Sequence, residues 1–430
     1  MLHNLDLRDP EVRAVALRRF ALFMGMMMSG GLFIFPRIPM LVGIAILAFV
    51  LKGPSLGIRR AMGPIFLLLV AVFAVTLVGG GGLPLGDVAT RYANFAGGIL
   101  LLGLYLDLPR STMARDFYFF GKVFSIQAVL TVILAETVNG LFRPVAFDQD
   151  LTYNTIGFLF TYHVMLEDST RFLRPDGFFY EPAVLQIYLN IQLYLALFMF
   201  KDRRWGAVAL LGVLATQSTT ALIISGIVLA VYYIRLLPTA TAFEKLAGLV
   251  VAPVLAIFLA FVAAENFQAK FAGVSVGSTW AREYDAYTGL NIAAAYPLTG
   301  IGFGSEQYFE AAMKHGYFET QLDNTHVLNR SEANSNGVVM VLYTMGFPLA
   351  FIFFLGLFRQ RFFPDRILFF GMSIAALIPE PLALNPFFLM LMFSGLLQMP
   401  GLPRILRRRA HPVSGYPAGA VPSGGPRRFK

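Results

Sequence analysis

Long apolar runs recur along the whole chain, and this feature restricts the fold more than any other. The first covers Leu17 to Phe35, and similar runs follow as far as residue 399. A helix needs about 20 apolar residues to cross the hydrocarbon layer, where it must satisfy its own backbone polar groups. Only 14% of the residues are charged, against about a quarter in soluble proteins. We therefore predict an all-α fold, a polytopic transmembrane helical bundle.

The apolar runs predict about twelve spans. Several are short, so pairing or tilting of neighbours leaves the count open by about two. The first run leads directly into more membrane sequence, which favours an uncleaved span over a signal peptide. The predicted bounds are 17–35, 38–51, 62–78, 94–106, 117–138, 179–200, 205–217, 218–236, 246–264, 336–358, 367–379 and 383–399.

Clustered Lys and Arg residues mark alternate connections between these runs. By the positive-inside rule, such connections and both termini are cytoplasmic, which predicts a multi-pass protein of the bacterial inner membrane. The connections 139–178 and 265–335 then face the periplasm. The clusters are Arg13 with Arg18 and Arg19, Lys52 with Arg59 and Arg60, Arg110 with Arg115, Lys201 with Arg203 and Arg204, Arg235 with Lys245, Arg359 with Arg361 and Arg366, and 404–409.

Two units are predicted within the chain. Residues 1–400 form one membrane bundle that includes both periplasmic loops, and residues 401–430 form a basic cytoplasmic tail whose Pro, Gly and Ser content predicts disorder. The larger loop is predicted to be helical, because aromatic and apolar residues recur every three or four positions and Pro297 follows. This amphipathic stripe consists of Trp280, Tyr284, Tyr287 and Leu290.

Composition also excludes several kinds of chemistry. The chain has no cysteine, so it forms no disulfide and uses no thiolate nucleophile or ligand. Its net charge of +9 lies in short clusters typical of topology signals, so we predict no nucleic-acid partner. The periplasmic loops contain no His-x-x-x-His pair, and we predict no metal and no other cofactor.

The first candidate stretch joins the smaller loop to a span. Arg171 and Arg174 precede Glu181, and Pro182 suits the first position of a helix. Guanidinium groups beside a helix N-terminus are suited to phosphate oxygens, and the alternative is two interfacial anchors with a capping glutamate. Gln186 follows within the span, where a polar side chain is expected to face the bundle interior or a wet cavity.

The second and third stretches lie in the larger loop. Arg282 is followed by a glycine series at 296–304, which lacks a preceding strand and a P-loop lysine and so indicates a tight turn rather than a nucleotide site. In the third stretch His326 is a candidate base, with Glu332 as its rival. The alternative is an ordinary polar loop. Glu380, in Pro-Glu-Pro, is predicted to lie at a turn.

Three motifs, in this order, resemble the O-antigen polymerase and ligase (Wzy-type) family. The first is Arg174-Pro-Asp-Gly-Phe-Phe-Tyr-Glu181-Pro182, similar to the Arg, Gly, Phe and Glu-Pro signature that opens a mid-chain span. The second is Arg282 with the Pro-x-x-Gly-x-Gly-x-Gly segment at 297–304. The third is Ser335-Asn336 ten residues before a Gly-x-Pro turn, where the family has a His-Asn pair. The Ser/Thr-rich 217–220 resembles the start of the next family helix.

The resemblance implies a GT-C-like enzyme that uses an undecaprenyl-diphosphate-linked oligosaccharide within membrane lipid and needs neither metal nor nucleotide sugar. Arg174, Arg282 and Arg330 would stabilise the departing diphosphate, and His326, Glu332 or Glu181 would activate the acceptor hydroxyl. The family also implies a chain-length regulator and a flippase as partners. Asn336 belongs to the substrate-binding set with Arg171 and Gln186.

Two departures from the family pattern bear on the reaction. Ser335 replaces the histidine that ligases carry, and Leu349 replaces the second glycine of the turn. Both favour a polymerase of O-antigen or exopolysaccharide repeat units over a ligase. The rival from another class is a transporter or flippase, which would place ionisable residues near the membrane midplane and use paired broken helices. A purely structural protein would not need a polar loop this long.

Overall fold

The computed structural model describes residues 8–53, 62–79, 85–148, 151–163, 173–239, 241, 245, 276–317 and 334–398. Most of these residues are helical, which agrees with a helical membrane protein. The helices are α1 (Pro10–Met28), α2 (Arg37–Lys52), α3 (Met62–Gly79), α4 (Leu85–Tyr105), α5 (Ser111–Thr137), α6 (Pro182–Tyr194), α7 (Arg203–Ala215), α8 (Thr219–Leu236), α9 (Val276–Ala295), α10 (Ser305–His315), α11 (Gly337–Phe358), α12 (Arg366–Leu377) and α13 (Pro386–Leu396).

Helices α1 to α8 and α11 to α13 coincide with eleven of the predicted spans, and the run 246–264 lies outside the described residues. Four are long and apolar enough to cross a membrane: α5, α6 with the π turn that extends it to Met199, α8 and α11. Shorter apolar helices occupy Gly63–Val78, Arg366–Leu377 and Pro386–Leu396. The chain is a membrane protein, and the number of twelve spans stays a prediction.

Ion pairs lie at the end of the bundle that is predicted to be cytoplasmic, where they join helices and the connections between them. Asp116, 2% exposed, accepts from Nε of Arg18 at 2.7 Å and from Nε of Arg19 at 3.0 Å, which joins the start of α5 to α1. Elsewhere at this end Lys52 pairs with Asp107, and Arg235 with Asp365 at 2.5 Å. The buried Asp116 needs such partners, so its two arginines fix α1 against the start of α5, and the two more exposed pairs join the ends of α2 and α4 and of α8 and α12.

A three-stranded antiparallel sheet stands between α5 and α6, in the smaller of the two predicted periplasmic loops. Strand β1 (Arg143–Asp148) pairs with β2 (Leu151–Ile156), and β2 pairs with β3 (Phe160–His163). The prediction of an all-α fold was therefore wrong for this loop. The β-branched and aromatic residues of Thr152–Ile156 and Phe160–Tyr162 favour strands, and the apolar runs around them concealed that local signal.

The predicted amphipathic helix is present as α9, which ends just before Tyr296-Pro297. Of the predicted stripe, Tyr284 is fully buried, whereas Tyr287 and Leu290 are exposed. The buried face instead continues through Asp285, Thr288, Ile292 and Ala293. These positions keep the spacing of three or four residues that an α-helix requires. The predicted period is therefore correct, but the buried face lies about one residue away from the predicted stripe.

The glycine series forms the predicted tight turn between α9 and α10, and the turn docks on a break in α11. At Gly346 the backbone is non-helical, with φ 70° and ψ 166°. Across the break, Ile301 N donates to Tyr343 O at 2.8 Å, Gly302 N to Thr344 O at 3.1 Å, and Phe347 N to Pro297 O at 2.8 Å. The turn therefore satisfies backbone groups that the broken helix cannot satisfy itself.

Replacement of Gly346 by alanine should destabilise this junction. A Cβ at position 346 would lie 2.5 Å from the carbonyl oxygen of Leu298. The φ and ψ angles of Gly346 also fall in a region that is essentially restricted to glycine, and any other residue held there costs about 1–3 kcal/mol. We expect a lower thermal unfolding midpoint in detergent, with a loss of about 2 kcal/mol or more. Gly371→Ala, in α12 with nothing within 4 Å, is the matched control. Equal midpoints for the two variants would contradict this account of the break.

Candidate functional site

The predicted helix start at Glu181-Pro182 is confirmed, and it supplies the first site residue. Pro182 is the first residue of α6, and Glu181 is its N-cap residue but makes no capping hydrogen bond with its side chain. The Glu181 side chain therefore does not act as a hydrogen-bonding cap, and its role in the site stays a prediction. Its neighbour Tyr180 is fixed through the backbone, since Tyr180 N donates to Gly30 O and Tyr180 O accepts from Tyr153 Oη. The half-buried carboxylate of Glu181 remains available.

Glu380 lies beside this helix start, at the predicted turn between α12 and α13. It is 3% exposed, and Tyr180 Oη donates to its Oε2 at 3.0 Å. The backbone of Glu380 is also closely packed, because a Cβ added to Gly337 would lie 2.3 Å from the carbonyl oxygen of Glu380. Sequence reasoning gave Glu380 no role. The available signal was an ionisable residue between two apolar runs, which by itself indicates function.

Charges from two predicted site residues act on Glu380. Burial raises its pKa to about 8, and the carboxylate of Glu181 adds to this rise. The positive charge of Arg282 on α9 opposes it, as does the hydrogen bond from Tyr180. Burial and the neighbouring carboxylate outweigh the guanidinium, so the more buried acid retains its proton at neutral pH.

Arg174 approaches the same region from the loop before α6. Its Nε donates to Thr216 O at 2.9 Å, which ties this loop to the turn between α7 and α8. Its charge also reaches Asp176 and His163, and the charge of Glu181 reaches both as well. Glu181 therefore acts on two partners that it shares with Arg174 and on one that it shares with Arg282. We call this set the Glu181 cluster: Arg174, Asp176, His163, Tyr180, Glu181, Glu380 and Arg282.

His163 and Asp176 form a buried pair that links β3 to the loop before α6. Nδ1 of His163 lies 2.9 Å from Oδ1 of Asp176, whose side chain is fully buried. Burial opposes the charged imidazolium, but the hydrogen bond and charge of Asp176 outweigh it and the pKa of His163 is raised. For Asp176 the effect of burial has the other sign: burial raises its pKa to about 6, and the hydrogen bond and charge of His163 oppose this rise. Sequence reasoning selected neither residue.

This pair predicts a stability that falls as pH rises. Because both pKa values are raised, the folded chain binds more protons than the unfolded chain. The contribution of Asp176 falls between pH 3.8 and about 6, and that of His163 is complete below pH 6.5 and lost as pH passes its raised pKa. In detergent, His163→Gln should lower the free energy of unfolding by about 3 kcal/mol and reduce the decline above pH 6.5 to the part that Glu380 contributes. His315→Gln should retain the wild-type decline, and a similar decline in His163→Gln would count against the pair.

Asn336, predicted to bind substrate, caps α11. Its side-chain oxygen accepts from Val338 N at 3.2 Å and Val339 N at 3.0 Å. The preceding Ser335 is held by the buried Asp285 of α9, which accepts from its backbone N–H at 2.9 Å and from its hydroxyl. These bonds fix the start of α11 against α9. The family's His-Asn position is thus a structural junction, and the role of Asn336 toward substrate stays a prediction.

Gln186 lies in the interior of the bundle, as expected for a polar side chain within a span. It is fully buried, and its Oε1 accepts from Asn190 Nδ2 at 2.9 Å. Among the described residues, Gln186 Nε2 and Asn190 Oδ1 have no hydrogen-bond partner. The structure thus places Gln186 below the Glu181 cluster along α6 rather than within it. The candidates Arg171, His326, Arg330 and Glu332 lie outside the described residues.

Within the described part of the chain, no group of three or more His, Asp or Glu residues is arranged to hold a metal ion. The Glu181 cluster offers the guanidinium groups of Arg174 and Arg282 and the carboxyl pair of Glu181 and Glu380. Of this pair, Glu380 is largely protonated at neutral pH. Guanidinium groups can stabilise developing charge on phosphate oxygens. A carboxylate can accept a proton from a hydroxyl.

These features define a class: a helical membrane protein with an arginine and carboxylate site at one end of its bundle. Comparison with protein families shows that residues 206–354 match Wzy_C, described as O-antigen ligase. This match confirms, for that segment, the resemblance to the O-antigen polymerase and ligase-like family. It includes Arg282, whereas Arg174, Glu181 and Glu380 lie outside it. No curated protein and no solved structure matches the chain significantly.

Proposed function

We propose that the chain transfers glycan from an undecaprenyl-diphosphate-linked oligosaccharide and joins repeat units into O-antigen or exopolysaccharide. The reaction is placed on the periplasmic face of the bacterial inner membrane, with both termini cytoplasmic. The observation that carries the proposal is the convergence of Arg174, Glu181 and Arg282 at one end of the bundle. The match of 206–354 to a family concerned with glycosyl transfer supports an enzyme of this general kind.

The arginines stabilise the leaving group in this proposal. The bond between the anomeric carbon and a phosphate oxygen breaks, and its electron pair passes to the lipid diphosphate. Arg282 is half-buried beside Glu380, where partial exclusion of water strengthens its interaction with the new charge. Arg174 is the second described donor, and Arg171 and Arg330 belong to the same proposed set. Guanidinium supplies the positive charge, so the step needs no metal.

Glu181 is the base that the described residues offer. The acceptor hydroxyl forms the new bond to the anomeric carbon and gives its proton to the Glu181 carboxylate. Glu380 holds a proton at neutral pH because its pKa is about 8, so it cannot accept one from the acceptor hydroxyl, and Glu181 is the other carboxyl group of the pair. His326 and Glu332 remain rival bases from the sequence.

Two alternatives concern the acceptor and the reaction class. A ligase would use the same donor but another acceptor, and Ser335 and Leu349 favour polymerisation. The break at Gly346 is the feature closest to a transporter's broken helix. However, backbone groups around the break bond to the 296–302 turn, so they are not available to coordinate a transported ion. The membrane bundle is proposed to be GT-C-like, with a chain-length regulator and a flippase as partners.

The testing experiment is turnover by purified protein in detergent with a lipid-diphosphate-linked repeat unit, followed by gel analysis. A ladder of products is the expected result. A single transfer to an added lipid acceptor, without a ladder, would replace polymerase by ligase. Movement of the donor across liposomes without any new glycosidic bond would replace the enzyme by a transporter.

A further inference from the structure

A second polar site lies at the opposite end of the bundle from the Glu181 cluster. It is a cavity where the connections α4–α5 and α11–α12 meet the end of α13. Its lining residues are Arg110, Arg361, Ser394, Leu397 and Gln398. This cavity plays no part in the proposed transfer reaction.

The cavity presents hydrogen-bond donors that are already oriented. Arg361 is fixed because its terminal nitrogens donate to Leu106 O at 3.2 Å and Leu108 O at 3.3 Å. Its Nε is buried and has no hydrogen-bond partner among the described residues. Gln398 Oε1 accepts from Arg366 at 3.1 Å, and its buried Nε2 likewise has no described partner. A buried donor left unpaired is destabilising, so an acceptor in the cavity would stabilise both.

The charge of the cavity is positive and poorly balanced. The guanidinium of Arg110 lies close enough to act on that of Arg361, and Arg110 immediately precedes α5, whose N-terminus adds a partial positive charge. The nearby Asp107 is paired with Lys52 at 3.6 Å. Ser394 uses its hydroxyl to donate to Leu391 O and to accept from Arg361 N. Residues 399–430, which follow Gln398, include no Asp or Glu.

We propose that this cavity binds a phosphate group, such as that of an anionic phospholipid headgroup. Two arginines and an amide N–H match the oxygens of a phosphate. The site would anchor the end of the bundle predicted to be cytoplasmic, where basic pockets between helices bind anionic headgroups.

The test compares lipid retention by the full chain and two variants. Protein is purified from nanodiscs of phosphatidylcholine with or without phosphatidylglycerol, and bound lipid is counted by native mass spectrometry. Wild type should retain phosphatidylglycerol selectively. Gln398→Glu preserves side-chain shape and the bond to Arg366 while adding a negative charge, and it should weaken retention about tenfold or more. Arg110→Gln removes an exposed charge and should weaken retention in the same direction.

Arg204→Gln is the matched control, because it removes an exposed arginine from the start of α7 at the same end. It should retain phosphatidylglycerol like wild type. Inorganic phosphate is titrated in parallel, with the thermal unfolding midpoint as readout. Stabilisation by inorganic phosphate that Gln398→Glu abolishes, without selective lipid retention, would identify a free phosphate as the ligand. Equal lipid retention and equal phosphate response in wild type, Gln398→Glu and Arg110→Gln would overturn the proposal.

Discussion

Arg282→Ala is expected to reduce the product ladder by about 10²–10³-fold, the usual effect of removing one preorganised donor to developing charge. Arg282 is the only predicted phosphate-binding arginine of the larger loop that lies among the described residues, and its charge acts on Glu380. The loss should appear mainly in kcat, because the charge on the leaving diphosphate grows as the bond breaks. The measurement is initial rate over a range of donor concentrations.

Lys314→Ala is the control for Arg282→Ala. Lys314 is exposed at the end of α10, so its removal lowers the positive charge of the same loop without touching the Glu181 cluster. Its ladder should match that of wild type. If both variants lose activity equally, the arginine contributes only to general attraction of the anionic donor. If Arg282→Ala retains full kcat, the proposed leaving-group role is excluded.

Glu181→Gln is expected to lower kcat by about 10²–10⁴-fold, the range for loss of a general base. The neighbouring Glu380→Gln should behave differently at neutral pH, because glutamine resembles the protonated acid that Glu380 is below its pKa of about 8. This pair of isosteric variants separates the two carboxyl groups. His326→Ala and Glu332→Gln, assayed in parallel, test the rival bases. A loss confined to His326→Ala would remove Glu181 from the mechanism.

The pH dependence provides a second test of the carboxyl pair. As pH rises through about 8, Glu380 loses its proton, and the added negative charge should repel the diphosphate donor. Wild-type kcat/KM should therefore fall above this pH, whereas Glu380→Gln should not. Stability follows the same sign, since a raised carboxyl pKa makes the folded state bind more protons and lose stability as pH rises from 4.5 to about 8. An unchanged activity profile in Glu380→Gln would contradict this assignment.

Apolar period and turn chemistry were sufficient to locate most helices from the sequence. Pro182, for example, marks the start of α6, because proline lacks the N–H that the first turn leaves unpaired. The sheet was missed because its strands are short and stand between long apolar runs that dominate any hydropathy pattern. The displaced face of α9 has a similar cause, since its core contacts are small or polar residues such as Asp285 and Thr288, which hydrophobicity does not reveal.

The site was predicted in part. Arg174, Glu181 and Arg282 were selected from separate stretches, and the structure places them around common partners. Glu380 was missed because its proximity to Glu181 depends on how α12 and α13 pack beside α6. No local pattern encodes a contact between residues two hundred positions apart, such as that of Tyr180 with Glu380. The burial of His163 and Asp176 depends in the same way on a sheet that was not expected.

The docking of the 296–302 turn on α11 limits how relatives can exchange their loops. A chimera that swaps the loop alone must reproduce the backbone path of this turn, because the backbone N–H groups of Ile301 and Gly302 donate to the carbonyl groups of Tyr343 and Thr344. The turn and the first half of α11 therefore form one structural unit. Exchange of the loop between relatives should preserve function best when both segments move together, with the boundary beyond Pro348.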